Sequence, residues 1–218
     1  MDLGQKGVFC FTDALSPAQL VELAQRTEEL GYAALWYPEV LGYESFGLGG
    51  FLLANTKKLI IASGIANIYA RDAAATKQGQ HTLAKLYGGR FLLGLGVSHV
   101  PLVKDARGHE YRPRVAHASL SGGYGQGRGD CAATRRASTD SAGGVRPQMI
   151  ALAGRWTAGA VPYNVTLEHT ARARTILGPN KWLCVEQKVL LVNESAKARE
   201  IARQVMAFRR RGSGRRRQ

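Results

Sequence analysis

A chain of 218 residues is long enough for one large domain or two small ones. With 45% hydrophobic and 21% charged residues it can fill a core, which excludes a disordered polyelectrolyte despite a formal charge of +14. Three cysteines (Cys10, Cys131, Cys184) are too few and too scattered for a disulfide framework, and none has metal-ligand spacing. No apolar run approaches the ~20 residues of a membrane span. Residues 1–7 lack the apolar region of a signal peptide, so a cytoplasmic protein with no membrane partner is expected.

The basicity is concentrated. Arg209, Arg210, Arg211, Arg215, Arg216 and Arg217 lie in the last ten residues. Arg128, Arg135, Arg136 and Arg146 lie in a Gly/Ser/Ala-rich stretch. Charge runs of this kind are more often solvated tails than binding faces, and these are not interleaved with aromatics, so nucleic acid is an unfavoured partner.

Residues 7–12 form a short apolar run that predicts a buried strand. Ser16 and Pro17 start a helix as N-cap and first helical residue, and Leu20, Leu23, Ala24, Thr27 and Leu30 repeat along it until Gly31. Residues 33–37 predict a second strand; a Gly/aromatic loop and a short helix follow, to Thr56. Residues 59–68 predict a third strand, 72–87 a helix and 91–97 a fourth strand. After residue 146 the grammar resumes. Helix is predicted over 147–158, strand over 160–165, helix over 167–177, strand over 182–192 and helix over 195–208. Strands apolar on both faces, each followed by a helix, predict a parallel sheet covered outside by helices.

Several ordered stretches resemble one family. They are Glu-Leu-Gly-Tyr-Ala-Ala-Leu-Trp-Tyr-Pro-Glu (29–39), Ala-Ser-Gly-Ile-Ala-Asn-Ile-Tyr-Ala-Arg-Asp (62–72), Gly-Arg-Phe-Leu-Leu-Gly-Leu-Gly-Val-Ser-His (89–99) on through Pro101, and Pro-Tyr-Asn-Val-Thr-Leu-Glu-His-Thr-Ala-Arg-Ala-Arg (162–174). The sequence is similar to the luciferase-like monooxygenase superfamily, and within it to the coenzyme F-420-dependent oxidoreductases of actinobacteria. The resemblance implies an α/β fold, a TIM-type (β/α)8 barrel. At this length it would be incomplete, with the fifth and eighth strands doubtful or missing. It also implies an oxidoreductase passing a hydride between reduced coenzyme F-420 and a small organic substrate. An FMN-dependent monooxygenase and a frame-disrupted, inactive remnant are the alternatives. A homodimer is a further expectation.

The resemblance places a non-prolyl cis peptide at Ser63-Gly64. With Ile65, Ala66 and Asn67 it would back the cofactor ring. Asn67 offers donors and an acceptor to the ring edge, or forms a turn. Ser98 and His99 follow the strand containing Gly94 and Gly96. His99 would act as acid or base, since an imidazole titrates near neutrality; otherwise it only hydrogen-bonds cofactor or loop. Tyr163 and Asn164 would touch the cofactor or lead into a helix capped by Thr166. Tyr37-Pro38 stands where the sugar-phosphate relatives carry Asp-His, which argues against their substrate. His81, His109, His117 and His169 are expected to be structural or solvated, and no metal site is expected.

Residues 118–146 contain almost no aliphatics, which is foreign to a barrel. Codon degeneracy allows a family-like, amphipathic reading one base later, so this stretch is expected to be out-of-frame sequence interrupting a domain over 1–208. Residues 209–218 are expected to form a disordered Arg-rich tail.

Overall fold

The computed structural model describes residues 2–111, 133–136 and 146–213. In chain order the elements are β1 (Gly7–Phe9), α1 (Pro17–Glu29), β2 (Ala34–Tyr37), α2 (Ser45–Ala54), β3 (Ile60–Ser63), β4 (Ala66–Asn67), α3 (Ala73–Leu86), β5 (Phe91–Gly96) and α4 (Val100–Lys104). They continue with β6 (Ala133–Arg136), α5 (Pro147–Trp156), β7 (Gly159–Ala160), α6 (Leu167–Leu177), β8 (Trp182–Leu183) and α7 (Ser195–Ser213). Every strand pair is parallel, in the order β1-β2-β3-β5-β6-β7-β8, with β4 beside β5.

The helix starts follow the sequence. Ser16 Oγ accepts from the Gln19 N–H at 3.4 Å while the Ser16 N–H donates to Gln19 Oε1 at 2.9 Å, a reciprocal capping box with Pro17 at the first position. Asp72 caps α3 by accepting from the Ala75 N–H at 2.8 Å, and Thr166 caps α6 by accepting from the His169 N–H at 3.2 Å. Gly178, at φ 81°, ends α6 in a backbone region closed to most side chains.

Alternation along each strand divides the core into two layers. Ala34, Trp36, Ile60, Ala62, Leu92 and Val161 form an inner cluster, with Leu3, Phe9, Trp182 and Cys184 packed against it. Leu35, Tyr37, Ile61, Leu93 and Leu95 point the other way, into a cluster with Leu20, Ala24, Leu52, Leu53 and Leu83 of the covering helices. Ile150, Ala153, Ala160, Ala173 and Leu177 join α5 and α6 to β7. Each fully buried aliphatic side chain is worth about 1.5–3 kcal/mol of transfer free energy. The inner cluster draws on both the first and the last strands, so the sheet curls as the predicted barrel requires. No ladder joins β8 to β1 among the described residues.

Several expectations change, among them the predicted strands 7–12 and 160–165, which shorten to Gly7–Phe9 and Gly159–Ala160. The predicted strand 59–68 is split into β3 and β4 by a cis peptide at Gly64-Ile65, one residue beyond the expected Ser63-Gly64. Ser63 is the last rung of the ladder with β2, opposite Tyr37, and so stays extended. The predicted strand 182–192 shrinks to Trp182–Leu183 plus a bridge between Tyr163 and Glu186. Strands need neighbours, and β8 ends the sheet order, leaving Val189 and Leu191 88% and 102% exposed. The fifth position, in doubt from the sequence, is taken by β6, which pairs with both β5 and β7. Finally, α7 runs to Ser213, past the boundary expected at 208, because no glycine or proline intervenes between Ala196 and Arg211 and arginine is a good helix former. Residues 118–132, 137–145 and 214–218 lie outside the described residues, and so do His117 and Cys131.

At the strand starts, opposite the site discussed below, two charged side chains brace the barrel. The Glu28 carboxylate accepts from the backbone N–H groups of Lys57, Lys58 and Leu59 at 2.5–3.1 Å. Arg90 donates to the carbonyls of Leu53, Thr56 and Leu59 and to Thr56 Oγ1 at 2.9–3.1 Å. Burial alone would raise the Glu28 carboxyl, but those N–H groups and nearby Arg90 hold it below the usual carboxylate range. The depressed value means that this stabilisation is full above the unfolded carboxylate value of about 4.3 and is lost as pH falls through the lower folded value. Glu28→Gln is therefore expected to cost about 1 kcal/mol at pH 7 and progressively less towards pH 3. Urea midpoints of both proteins across that range check it.

Candidate functional site

All parallel strands of such a sheet end on the same side, so residues just beyond them converge. Asn67 lies opposite Gly96 in the β4–β5 register, and the Ile68 N–H donates to the Gly96 carbonyl at 3.0 Å. His99 follows Gly96 by three residues, so Asn67 and His99 leave adjacent strands at one rim. On the far side, the Phe9 ring lies 6.5 Å from the Tyr163 ring, and a Cβ added to Gly64 would sit 3.1 Å from Phe9. Phe9 thereby links the cis-peptide segment to the segment after β7. Ser63, Gly64, Ile65, Ala66, Asn67, Ser98, His99, Tyr163 and Asn164 thus end at one mouth.

Ser63 is fully buried and its hydroxyl bonds both the carbonyl and the N–H of Gly94 at 3.0 Å. It locks β3 to β5 and presents no free polar group. Gly64 packs under Phe9 and Trp36, whose rings a side chain there would crowd. Ile65 and Ala66 are buried and apolar. Asn67 is 3% exposed. Its Oδ1 accepts from the Tyr69 N–H at 3.0 Å, the turn expected as one of its two readings, which leaves the amide nitrogen to donate elsewhere. Thr12, just past β1, is fully buried, and its hydroxyl has no hydrogen-bond partner among the described residues.

Ser98 has φ 56° and Asn164 φ 51°. Left-handed backbone at non-glycine residues concentrates where the chain must turn sharply at a site. Ser98 falls two residues after β5, and Asn164 directly after the bridge between Tyr163 and Glu186. His99 is the N-cap residue of α4, yet its side chain does not cap the helix; its carbonyl accepts from the Val103 N–H at 3.1 Å, and the residue is exposed. The Asn164 N–H donates to the Glu186 carbonyl at 3.2 Å. Thr166 is the helix cap that the sequence foresaw.

Three features had no reading in the sequence. Glu39, 5% exposed, accepts from the Asn67 N–H at 2.7 Å and pairs with Arg71, which also reaches Glu44. Burial opposes the charge on Arg71, but Glu39 and Glu44 hold its pKa above the ordinary value. Burial likewise works against ionised Glu44, yet the N–H groups of Gly47 and Phe46 and the Arg71 charge bring its carboxyl below the usual range. Second, the Tyr69 ring stacks at 6.2 Å on both His109 and Tyr111, so His109 belongs to the loop wall beside Asn67. Third, Lys188 Nζ lies 5.7 Å from the Phe11 ring and 5.8 Å from that of Tyr163, a cation over two aromatic faces at the same mouth. Cys184 lines the inner cluster, where burial pushes its thiol up to about 11, so it is no nucleophile.

A curled parallel sheet covered by helices, with polar groups gathered beyond the strand ends, is an α/β fold of TIM-barrel-like architecture. Residues 4–119 match the luciferase-like monooxygenase family, and the chain belongs to it. A Mycobacterium tuberculosis (strain ATCC 25618 / H37Rv) protein provisionally named a coenzyme F420-dependent oxidoreductase is 26% identical over 103 residues. That match covers 47% of this chain and 30% of the relative, so the chain aligns with less than a third of the relative's length. Among solved structures, the coenzyme F420 dependent tetrahydromethanopterin reductase from Methanopyrus kandleri superposes with a TM-score of 0.70 at 18% identity, covering 93% of this chain and 71% of the other. The oxygenating constituent of 3,6-diketocamphane monooxygenase from Pseudomonas putida, a type II Baeyer–Villiger monooxygenase in complex with FMN, superposes at 0.66 and 12% identity, covering 92% and 71%. At these identities the two structures establish the shared fold. Among the described residues no helix is long and apolar enough to cross a membrane.

Proposed function

We propose that this chain is a flavin- or deazaflavin-dependent oxidoreductase that uses coenzyme F-420 to move a hydride to or from a small organic substrate. The observation carrying the reading is the convergence of the Gly64–Asn67 segment, the Ser98-His99 turn and Tyr163-Asn164 at one rim. The residues fit a planar, acceptor-rich ring. Asn67 has an uncommitted amide donor, Thr12 a buried hydroxyl with no partner among the described residues, and Ile65 and Ala66, buried and apolar, bring no competing charge. The bound cofactor would supply the hydride chemistry, and the chain the binding and orientation.

Asn67 would orient the ring edge by donating from its amide nitrogen. Tyr69, stacked with His109 and Tyr111, would screen one side from water. His99, exposed and not committed to capping α4, would move a proton to or from the substrate beside the reacting carbon. Lys188 would place positive charge where an anionic cofactor tail leaves the mouth. Titrating the purified protein with coenzyme F-420 and with FMN, followed by fluorescence, tests the reading. Binding of F-420 with a dissociation constant in the micromolar range is expected. Tight FMN binding with none of F-420 would replace it by an FMN-dependent monooxygenase on the same scaffold, a reading favoured by the FMN-bound neighbour. Binding of neither would sink both.

A further inference from the structure

We propose that Glu39 is a positioning residue, one that holds the Ile65–Asn67 segment in the shape the cofactor ring meets. This rests on the cofactor reading above. Glu39 grips that segment at both ends: its own N–H donates to the Ile65 carbonyl at 2.9 Å, and its carboxylate Oε2 accepts from the Asn67 N–H at 2.7 Å. Among the described residues β4, two residues long, pairs only with β5. The carboxylate is itself held. Arg71 Nη1 donates to Oε2 at 3.1 Å, and Arg71 Nη2 bonds both Glu39 Oε1 and Glu44 Oε1. Glu44 in turn accepts from the Phe46 and Gly47 N–H groups at the start of α2. One guanidinium thus ties the loop after β2, the end of β4 and the start of α2 together.

The consequence is directional. Asn67 Oδ1 is fixed by the Tyr69 N–H, and the Asn67 main chain by Glu39. With both anchored, the Asn67 amide nitrogen has one orientation left. The buried carboxylate is itself partnered, by Arg71 and by the Asn67 N–H. Glu28 does the same chemistry at the opposite end of the strands, where no site residue lies, and so serves as the matched control.

The test compares Glu39→Gln and Glu39→Asp with Glu28→Gln in the full chain. It reads the dissociation constants for F-420 and FMN, and amide hydrogen exchange of the ligand-free protein. Glu39→Gln is expected to weaken binding of whichever cofactor the wild type takes by tenfold or more and to speed exchange at residues 65–69 alone. Glu39→Asp keeps the charge but loses reach and should fall between. Glu28→Gln should leave both readings unchanged while lowering the melting temperature. Affinity within twofold of wild type in both Glu39 variants, or equal loosening by Glu28→Gln, would overturn the assignment. If the wild type binds neither cofactor, the functional reading fails, and exchange at 65–69 still decides whether Glu39 holds the segment. If Glu39→Gln does not fold, Glu39→Asp carries the same two readings.

Discussion

Replacing His99 by Gln is expected to lower kcat by about 10²–10⁴-fold while leaving cofactor affinity within about twofold. The expectation follows from position. His99 lies directly after the left-handed turn at Ser98, beyond β5, and its imidazole does not serve α4 as a cap. Gln keeps a polar side chain of similar reach but cannot take up or release a proton. If its imidazole carries the proton, the wild-type pH–rate profile should show a limb that vanishes in the variant. Loss of rate together with loss of the limb identifies a proton carrier. A fall under threefold with the limb intact would move the acid–base role elsewhere, and His109, stacked on Tyr69, is the next imidazole at this mouth.

The parts of the fold that were legible in the sequence are those whose signal is local. Ser16-Pro17 with Gln19 announces a helix start because the cap is built from neighbours in sequence. Leu92 and Leu93 announce a strand buried on both faces, and the structure sends them into different layers of the core. What stayed invisible depends on partners far along the chain. Glu39 and Arg71 lie within the family-like stretches 29–39 and 62–72, but a pair 32 positions apart has no periodicity to betray it. The β6 strand, Ala-Thr-Arg-Arg, has no apolar run; it is defined by lying between β5 and β7. Conversely, Val189 to Val192 has strong strand character and forms none, because no described strand flanks it. The site was legible at the level of which strand ends carry it. How Asn67 divides its amide between Tyr69 and a ligand was not, because that depends on backbone geometry two residues away.

Two adjacent glycines of α2 should respond to alanine with opposite signs. In a helix interior Gly→Ala gains about 1 kcal/mol from backbone entropy alone. At Gly50 the nearest atom to an added Cβ is Leu83 Cδ2 at 3.3 Å, the far end of a side chain that can swing, so most of that gain should survive. At Gly49 the new Cβ would lie 2.7 Å from both the Phe91 ring and the Tyr37 hydroxyl. Neither can yield. Phe91 is 3% exposed in the core, and Tyr37 is fully buried with its hydroxyl donating to the Ser45 carbonyl at 2.5 Å, at the start of the same helix. Overpacking of this kind costs about 1–3 kcal/mol. Pulling Tyr37 off Ser45 would leave a buried hydroxyl unpaired, at about 1–3 kcal/mol more. The helix gain offsets only part of this, so Gly49→Ala is expected to destabilise by about 2–3 kcal/mol and Gly50→Ala to stabilise by up to about 1 kcal/mol. Urea unfolding of the two variants at pH 7 separates the effects, since helix propensity is common to both and the contacts of the Cβ are not. Equal shifts in the two would mean that α2 does not press against β2 and β5 at Gly49, and the outer layer of the core would have to be redrawn.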